Sequence, residues 1–280
     1  MRGLKSKPVI VTGGANGIGR GAVEVFAEEG ARVVIADLDV DAGEALAREI
    51  GASARFRRTD VSQPAEMQAL VDYALAQFMA ALALEAHPGL FARLDRRAFD
   101  AGPRLLRERV LERLIARFGG TTARPRLSEV EALVRRLDAA PKMTATLGGA
   151  VVSAGPRTLR VWREAGRIVP PHRPITPGSV LTWDARFEVR LSPAASGQAL
   201  TIAPVGASGA ALLVPGPAAA IPAGALAALP GLWSGGRLAA VPRFASDWSL
   251  KGDLPLQPDF TAVPLAERSA NAKTSANPIG

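Results

Sequence analysis

The 280-residue chain contains no cysteine. Disulfides, thiolate metal sites and cysteine nucleophiles are therefore excluded. Histidine is scarce, with only His87 and His172, so no histidine-based metal centre is expected. His172 lies among prolines and reads as exposed. His87, before Pro88-Gly89, reads as a helix-end residue. Tyrosine occurs once, at Tyr73. No run of about 18 uninterrupted apolar residues occurs, so no membrane span or membrane partner is expected. The Ala-rich stretch 207–229 comes nearest, but prolines and glycines interrupt it. No apolar run follows the basic Met1–Lys7 segment, so no signal peptide is expected and the cytoplasm is the expected location.

What is present is an apolar content of 48% and a net charge of +8, distributed unevenly. Residues 1–78 hold 9 Lys and Arg against 11 Asp and Glu, a net of −2. Residues 79–280 hold 25 against 15, a net of +10. The basic excess is mostly arginine, which suits phosphate contacts. An arginine-rich solvated surface set by codon usage is an equal reading of the charge alone.

Residues 1–78 alternate strand and helix. Pro8–Val11 reads as a strand and Gly17–Glu29 as a helix stopped by Gly30. Arg32–Ala36 reads as a buried strand and Asp41–Ile50 as a helix ended by Gly51. Ala54–Arg58 reads as a weaker strand, and a helix begins at Ser62 or Gln63 with Pro64 in its first turn. This is βαβαβα, the first half of a doubly wound, Rossmann-like α/β fold. Between the first strand and helix lie Gly13, Gly14, Gly17 and Gly19, with Asp37 after the second strand. Gly13 permits a tight turn, Gly17 lets backbone approach a pyrophosphate, and Gly19 allows close helix packing. A carboxylate at Asp37 accepts both ribose hydroxyls and repels a 2′-phosphate, which favours NAD over NADP.

The motifs T-G-G-A-N-G-I-G at 12–19, A-D-L-D at 36–39 and T-D-V-S at 59–62 resemble the N-terminal part of short-chain dehydrogenases/reductases. The resemblance implies that Asp60 and Val61 contact the adenine. The expected cofactor residues are thus Gly13, Asn16, Gly17, Ile18, Gly19, Asp37, Asp60 and Val61. Val71–Phe78 resembles the family's helix before its fourth strand, and there the resemblance stops. The family's N-A-G motif is missing: the chain's asparagines are Asn16, Asn271 and Asn277. The family's catalytic tyrosine is followed four residues on by a lysine, which lowers the phenol pKa. Here Gln77 stands four residues after Tyr73. No catalytic residue is assigned. Without a fourth strand, the first strand becomes an exposed apolar edge, and NAD binding is expected to be weak or vestigial.

From Pro64 to Ala86 the pattern reads as one continuous helix. Residues 102–118 read as an arginine-rich helix, and Ser128–Leu137 as another with a Ser128/Glu131 capping box. Beyond them, Ala145–Val152, Thr158–Trp162, Arg186–Leu191, Leu200–Val205 and Arg237–Val241 read as strands of a mostly antiparallel β domain. The expected organisation is a truncated dinucleotide-binding segment at 1–78, a helical connector at 79–143, a β-rich domain at 144–261 and a disordered tail at 262–280. Trp162, Trp183 and Trp233 read as core. Asp184 and Glu188 read as sharing a strand face, a weak basis for acid–base chemistry.

A-T-L-G-G at 145–149, L-R-V-W-R-E at 159–164, W-D-A-R-F at 183–187 and L-P-G-L-W-S-G-G-R-L-A-A-V-P at 229–242 resemble the C-terminal part of bacterial tRNA-isoleucine lysidine synthetases. The resemblance covers most of 79–245 and implies tRNA as a partner of the basic 79–280 region. That family's phosphate loop, S-G-G-x-D-S, is absent. The leading expectation is a chimera lacking both catalytic activities. A divergent NAD-dependent short-chain oxidoreductase, and an RNA-binding module with a passive N-terminal appendage, stand as rivals. Oligomeric state is not legible.

Overall fold

Strand β2 (Arg32–Asp37) lies at the centre of the N-terminal sheet because its run R-V-V-I-A-D is apolar on both faces. Strand β1 (Pro8–Thr12) pairs with it in parallel on one side and β3 (Ala54–Arg58) on the other, giving the order β1-β2-β3. The computed structural model describes residues 4, 7–82, 84–87, 89–120, 124–195, 199–215, 221–242, 248–250 and 260–264.

Side-chain alternation along β2 divides the core. Val33 and Ile35 pack with Val23 of helix α1 (Gly17–Glu28) and Leu46 of helix α2 (Val40–Ile50). Val34 and Ala36 pack on the other face with Leu70 and Ala74 of helix α3 (Pro64–Ala81). Asp39 starts α2 by accepting from the Ala42 N–H at 3.0 Å. A Cβ at Gly43 would lie 2.2 Å from the Phe56 ring, so only glycine lets α2 sit this close to β3. Among the described residues β1 pairs with β2 alone, and Ile10 on it is 38% exposed. The sheet stops where a fourth strand would continue a doubly wound fold.

The expected helix from Pro64 to Ala86 is shorter. It ends at Ala81, and Glu85–His87 form β4. Leu82 is fully buried and its carbonyl accepts from the Asp95 N–H, a tertiary bond that periodicity does not reveal. His87 is therefore a strand residue, its ring stacked on Phe91 at 4.5 Å, and not a helix cap. The chain continues through β5 (Phe91–Asp95), α4 (Arg96–Ala101), α5 (Arg104–Phe118) and α6 (Leu127–Ala139). The start of α6 also differs from expectation. The Arg126 N–H donates to Glu129 at 3.0 Å, in place of a Ser128/Glu131 pair.

The chain separates into two compact units, one of 1–84 with 94–111 and one of 85–93 with 112–280. Residues 79–143 are thus divided between them. In the second unit, the stretch expected as one strand at 145–152 is a hairpin of β6 (Met143–Leu147) and β7 (Ala150–Ala154). Gly148 and Gly149 turn it with φ of +55° and +76°. These strands join β8 (Thr158–Arg163) in the five-stranded order β4-β5-β8-β7-β6. A second sheet contains β9 (Arg173–Pro174), β12 (Thr201–Pro204), β14 (Pro230–Ser234) and β15 (Arg237–Ala240). A third contains β10 (Val180–Trp183), β11 (Phe187–Leu191) and β17 (Phe260–Pro264). Both are antiparallel, as is the two-stranded pair of β13 (Leu213–Pro215) and β16 (Trp248–Leu250). Ala262–Pro264 thus form strand, where the tail was expected to begin; 265–280 lie outside the described residues.

Asp184 and Glu188 do not share a strand face. Asp184 lies in the turn between β10 and β11, at φ +51°, as does Ala185. Its carboxylate is 2% exposed and binds two arginines, Arg163 at 2.8 Å and Arg186 at 2.7 Å. The Arg163 fork also donates to the carbonyls of Gly149 and Arg167, and the Arg186 fork to those of Gly89 and Ala228. This cluster joins the turn to four other segments. Asp184→Ala strands two buried guanidiniums and is expected to destabilise the second unit by about 3–5 kcal/mol in denaturant melts. Ala185→Gly, which relieves a left-handed alanine, is expected to leave stability equal or raise it by about 1 kcal/mol. A melt in which Asp184→Ala costs nothing would show that the cluster does not hold the turn.

Candidate functional site

The candidate site lies at the carboxyl ends of β1, β2 and β3, where parallel α/β sheets hold ligands. The chain leaves β1 at Thr12 and turns at Gly13, whose φ is +66°. The N–H groups of Gly13 and Gly14 donate to the Ala36 carbonyl at 2.8 and 3.4 Å, folding the loop over the end of β2. Gly17, at φ +56°, opens α1. A Cβ on Gly13 or Gly17 would meet nothing within 4 Å, so backbone at both positions faces open space. At Gly19 the reverse holds: a Cβ there would lie 1.9 Å from the Gly13 oxygen. Gly14 was not among the expected site residues, yet a Cβ there would stand 3.0 Å from the Val11 oxygen and 3.2 Å from Ile35. The sequence signal was the doublet itself.

Asn16 occupies the N-cap of α1, but its side chain does not cap the helix. It donates instead to Asp39 at 3.0 Å. The first-turn N–H groups of α1 therefore have no side-chain cap, which suits them to an anion. Ile18 is 95% exposed beside them. Asp37 accepts from the Ala15 N–H at 2.9 Å, the Leu38 N–H at 2.7 Å and the Asp39 N–H at 3.1 Å. Asp60 and Val61 follow β3. Asp60 accepts from the Ser62 hydroxyl and N–H at 2.7 and 2.9 Å, while Val61 is exposed. The Thr59 N–H donates to the Asp37 carbonyl at 2.9 Å and links this corner to the end of β2. The structure brings the glycine loop and Asp37 into direct contact and places Asp60 and Val61 at the end of the adjacent strand. It offers open glycine backbone, uncapped helix N–H groups and a fixed carboxylate, a set that fits a phosphate next to a diol.

Tyr73 lies elsewhere. It packs on α3 beside the core of Val34 and Ala36, with the Arg57 guanidinium 5.2 Å from its ring. Among the described residues no group of three metal-ligating side chains occurs, and no helix is long and apolar enough to cross a membrane.

A parallel sheet flanked by helices, with a glycine-rich turn and an acid after the second strand, defines the class of this unit as Rossmann-like. More particularly, residues 7–90 match the family profile described as short chain dehydrogenase. The sex determination protein tasselseed-2 of Zea mays is 53% identical over 74 residues, which are 26% of this chain and 22% of that protein. The 2,5-dichloro-2,5-cyclohexadiene-1,4-diol dehydrogenase of Sphingobium indicum is 44% identical over 78 residues, 28% of this chain and 31% of that protein. A short chain dehydrogenase/reductase from Burkholderia phymatum, solved in complex with NAD, is 37% identical over 27% of this chain and 28% of its own, with a TM-score of 0.26. The chain thus spans less than a third of the length of these relatives.

The Asp37 carboxyl titrates below the ordinary 3.8, chiefly because the Ala15 N–H bonds its charged form. A depressed folded value means that its contribution to stability is present above the unfolded pKa and is lost as pH falls through the folded one. The loop is therefore expected to be fully held above about pH 4 and to loosen below it. Thermal melts of the wild type minus those of Asp37→Asn isolate this effect. A difference that does not shrink in acid would remove the carboxylate from the account. Gly19→Val is expected to lower the melting temperature of the N-terminal unit, at a cost of about 1–3 kcal/mol from overpacking.

Proposed function

We propose that the N-terminal unit binds the adenosine and pyrophosphate portion of NAD, weakly, and that the chain carries out no hydride transfer. The observation that supports this most is the Asp37 carboxylate, held by the Ala15 N–H beside the open backbone of Gly13 and Gly17. Gly13, Asn16, Gly17, Ile18 and Gly19 would hold the phosphates, Asp37 the ribose hydroxyls, and Asp60 and Val61 the adenine edge. Asp37 would reject the 2′-phosphate of NADP through like charge. The bound dinucleotide supplies a hydride acceptor or donor. The residues that would serve it are missing: Tyr73 packs on α3 against Arg57, and β1 has no partner beyond it among the described residues. In this reading the chain joins half of a reductase-like fold to a non-catalytic C-terminal region, and the cytoplasm is its compartment.

For the C-terminal region we propose contact with tRNA. Its support is the order and spacing of the lysidine-synthetase-like motifs and the net charge of +10 after residue 78. The 79–280 region would act as an RNA-contacting surface without lysidine synthetase chemistry.

NAD is expected to raise the melting temperature and NADP to leave it unchanged, with Asp37→Asn abolishing the difference. Steady oxidation of NADH in the presence of ketones or aldehydes would favour an active, divergent reductase and defeat the first proposal. Transfer RNA is expected to bind the full chain with an affinity that falls as salt rises. Undetectable binding at low salt would end the second.

A further inference from the structure

The second unit contains a cavity of about 410 Å³ that neither proposal uses. It is lined by Arg163, Arg167, Arg173, Thr182, Trp183 and Asp184 among others. Its wall carries unbalanced charge. Arg163 and Arg186 are 2% and 3% exposed and share the single Asp184 carboxylate, itself 2% exposed. Burial pushes Arg186 down to about 10, with Asp184 opposing, so it stays protonated at neutral pH. The four carbonyls around the two guanidiniums satisfy N–H groups but carry no compensating charge. The cluster therefore keeps a buried net charge of about +1.

Two further arginines line the same cavity. Arg167 is 74% exposed, and its nearest carboxylate, Glu164, is 3.9 Å away. Arg173 is exposed and donates to the Thr182 carbonyl at 3.0 Å from one terminal nitrogen, leaving the rest of its fork available. Trp183 backs this wall and is 2% exposed, with the Arg186 guanidinium 5.9 Å from its ring. Forked donors and a buried positive charge together suit an oxyanion. The cavity also falls within the size range of small-molecule sites, about 300–1,000 Å³.

We propose that this cavity binds a phosphate group, with Arg167 and Arg173 as its direct ligands and the Arg163–Asp184–Arg186 cluster supplying the field. The site is built from residues of the second unit alone and depends on neither function proposed above.

Calorimetric titration of the full chain with inorganic phosphate, a nucleoside monophosphate and the uncharged nucleoside tests it. Both anions are expected to bind saturably at low salt, and the nucleoside hardly at all. Arg173→Ala is expected to weaken binding about tenfold, and adding Arg167→Ala about tenfold more. Both side chains lie at the surface, so unchanged melting is expected and checks that the variants fold. The glycine loop also fits a phosphate, so the titrations are repeated in an Ile18→Glu background, which places a carboxylate beside that loop; the arginine-dependent binding is expected to persist there. The proposal is overturned if the arginine variants bind as well as wild type, if Ile18→Glu abolishes binding, or if the nucleoside binds as tightly as its monophosphate.

Discussion

The geometry of the glycine loop in the N-terminal unit rests on one bond, from the Ala15 N–H to the Asp37 carboxylate. That bond fixes a loop of small residues to the end of the central strand. The Gly13 and Gly14 N–H groups reinforce it by donating to the Ala36 carbonyl. Because β2 is buried on both faces, the point to which the loop is tied does not move. Close contact between Gly19 and the Gly13 oxygen then sets where α1 begins. The open positions at Gly13 and Gly17 follow from these closed ones. A loop that must expose its own backbone needs an anchor elsewhere, and Asp37 is that anchor.

The second unit is held by a different constraint, the sharing of one buried carboxylate between two buried guanidiniums. Asp184 and Ala185 take left-handed conformations in a three-residue turn, a local cost of about 1–2 kcal/mol per residue for alanine. The arginine forks offset it by reaching the Gly149, Arg167, Gly89 and Ala228 carbonyls. Gly120 and Gly149 admit this arrangement, since a Cβ at either would lie within 2.6 Å of Arg163. The same cluster that braces the hairpin gives the neighbouring cavity its positive field. The bracing of the hairpin and the field in the cavity have one electrostatic origin.

Much of the N-terminal unit was legible because its signals are local. The apolar run Arg32–Ala36, the stops at Gly30 and Gly51, and Pro64 at the start of α3 all act through neighbours in the chain. The strand Ala54–Arg58 has the bounds that its composition suggested. The glycine spacing and Asp37 were legible for the same reason. Errors arose where a distant residue decided. Helix α3 stops before Ala86 because Leu82 is buried and bonded to Asp95. Residues 145–152 form a hairpin because two glycines turn with positive φ within a run of small and apolar residues. Asp184 was read as a strand residue because its bond to Arg163 spans 21 positions.

The sequence by itself determined the order of elements in the parallel sheet, the place of the glycine-rich turn between β1 and α1 and of Asp37 at the end of β2, and the absence of cysteine chemistry. These follow from short-range periodicity, backbone conformations open to glycine, and composition. Only the tertiary structure decided that α3 gives way to β4 at Glu85–His87, that Tyr73 on α3 faces Arg57, and that Asp184 joins two buried arginines beside a cavity. Each of these depends on which distant residues meet, and hydrophobic burial and charge pairing across the fold settle that, not spacing along the chain.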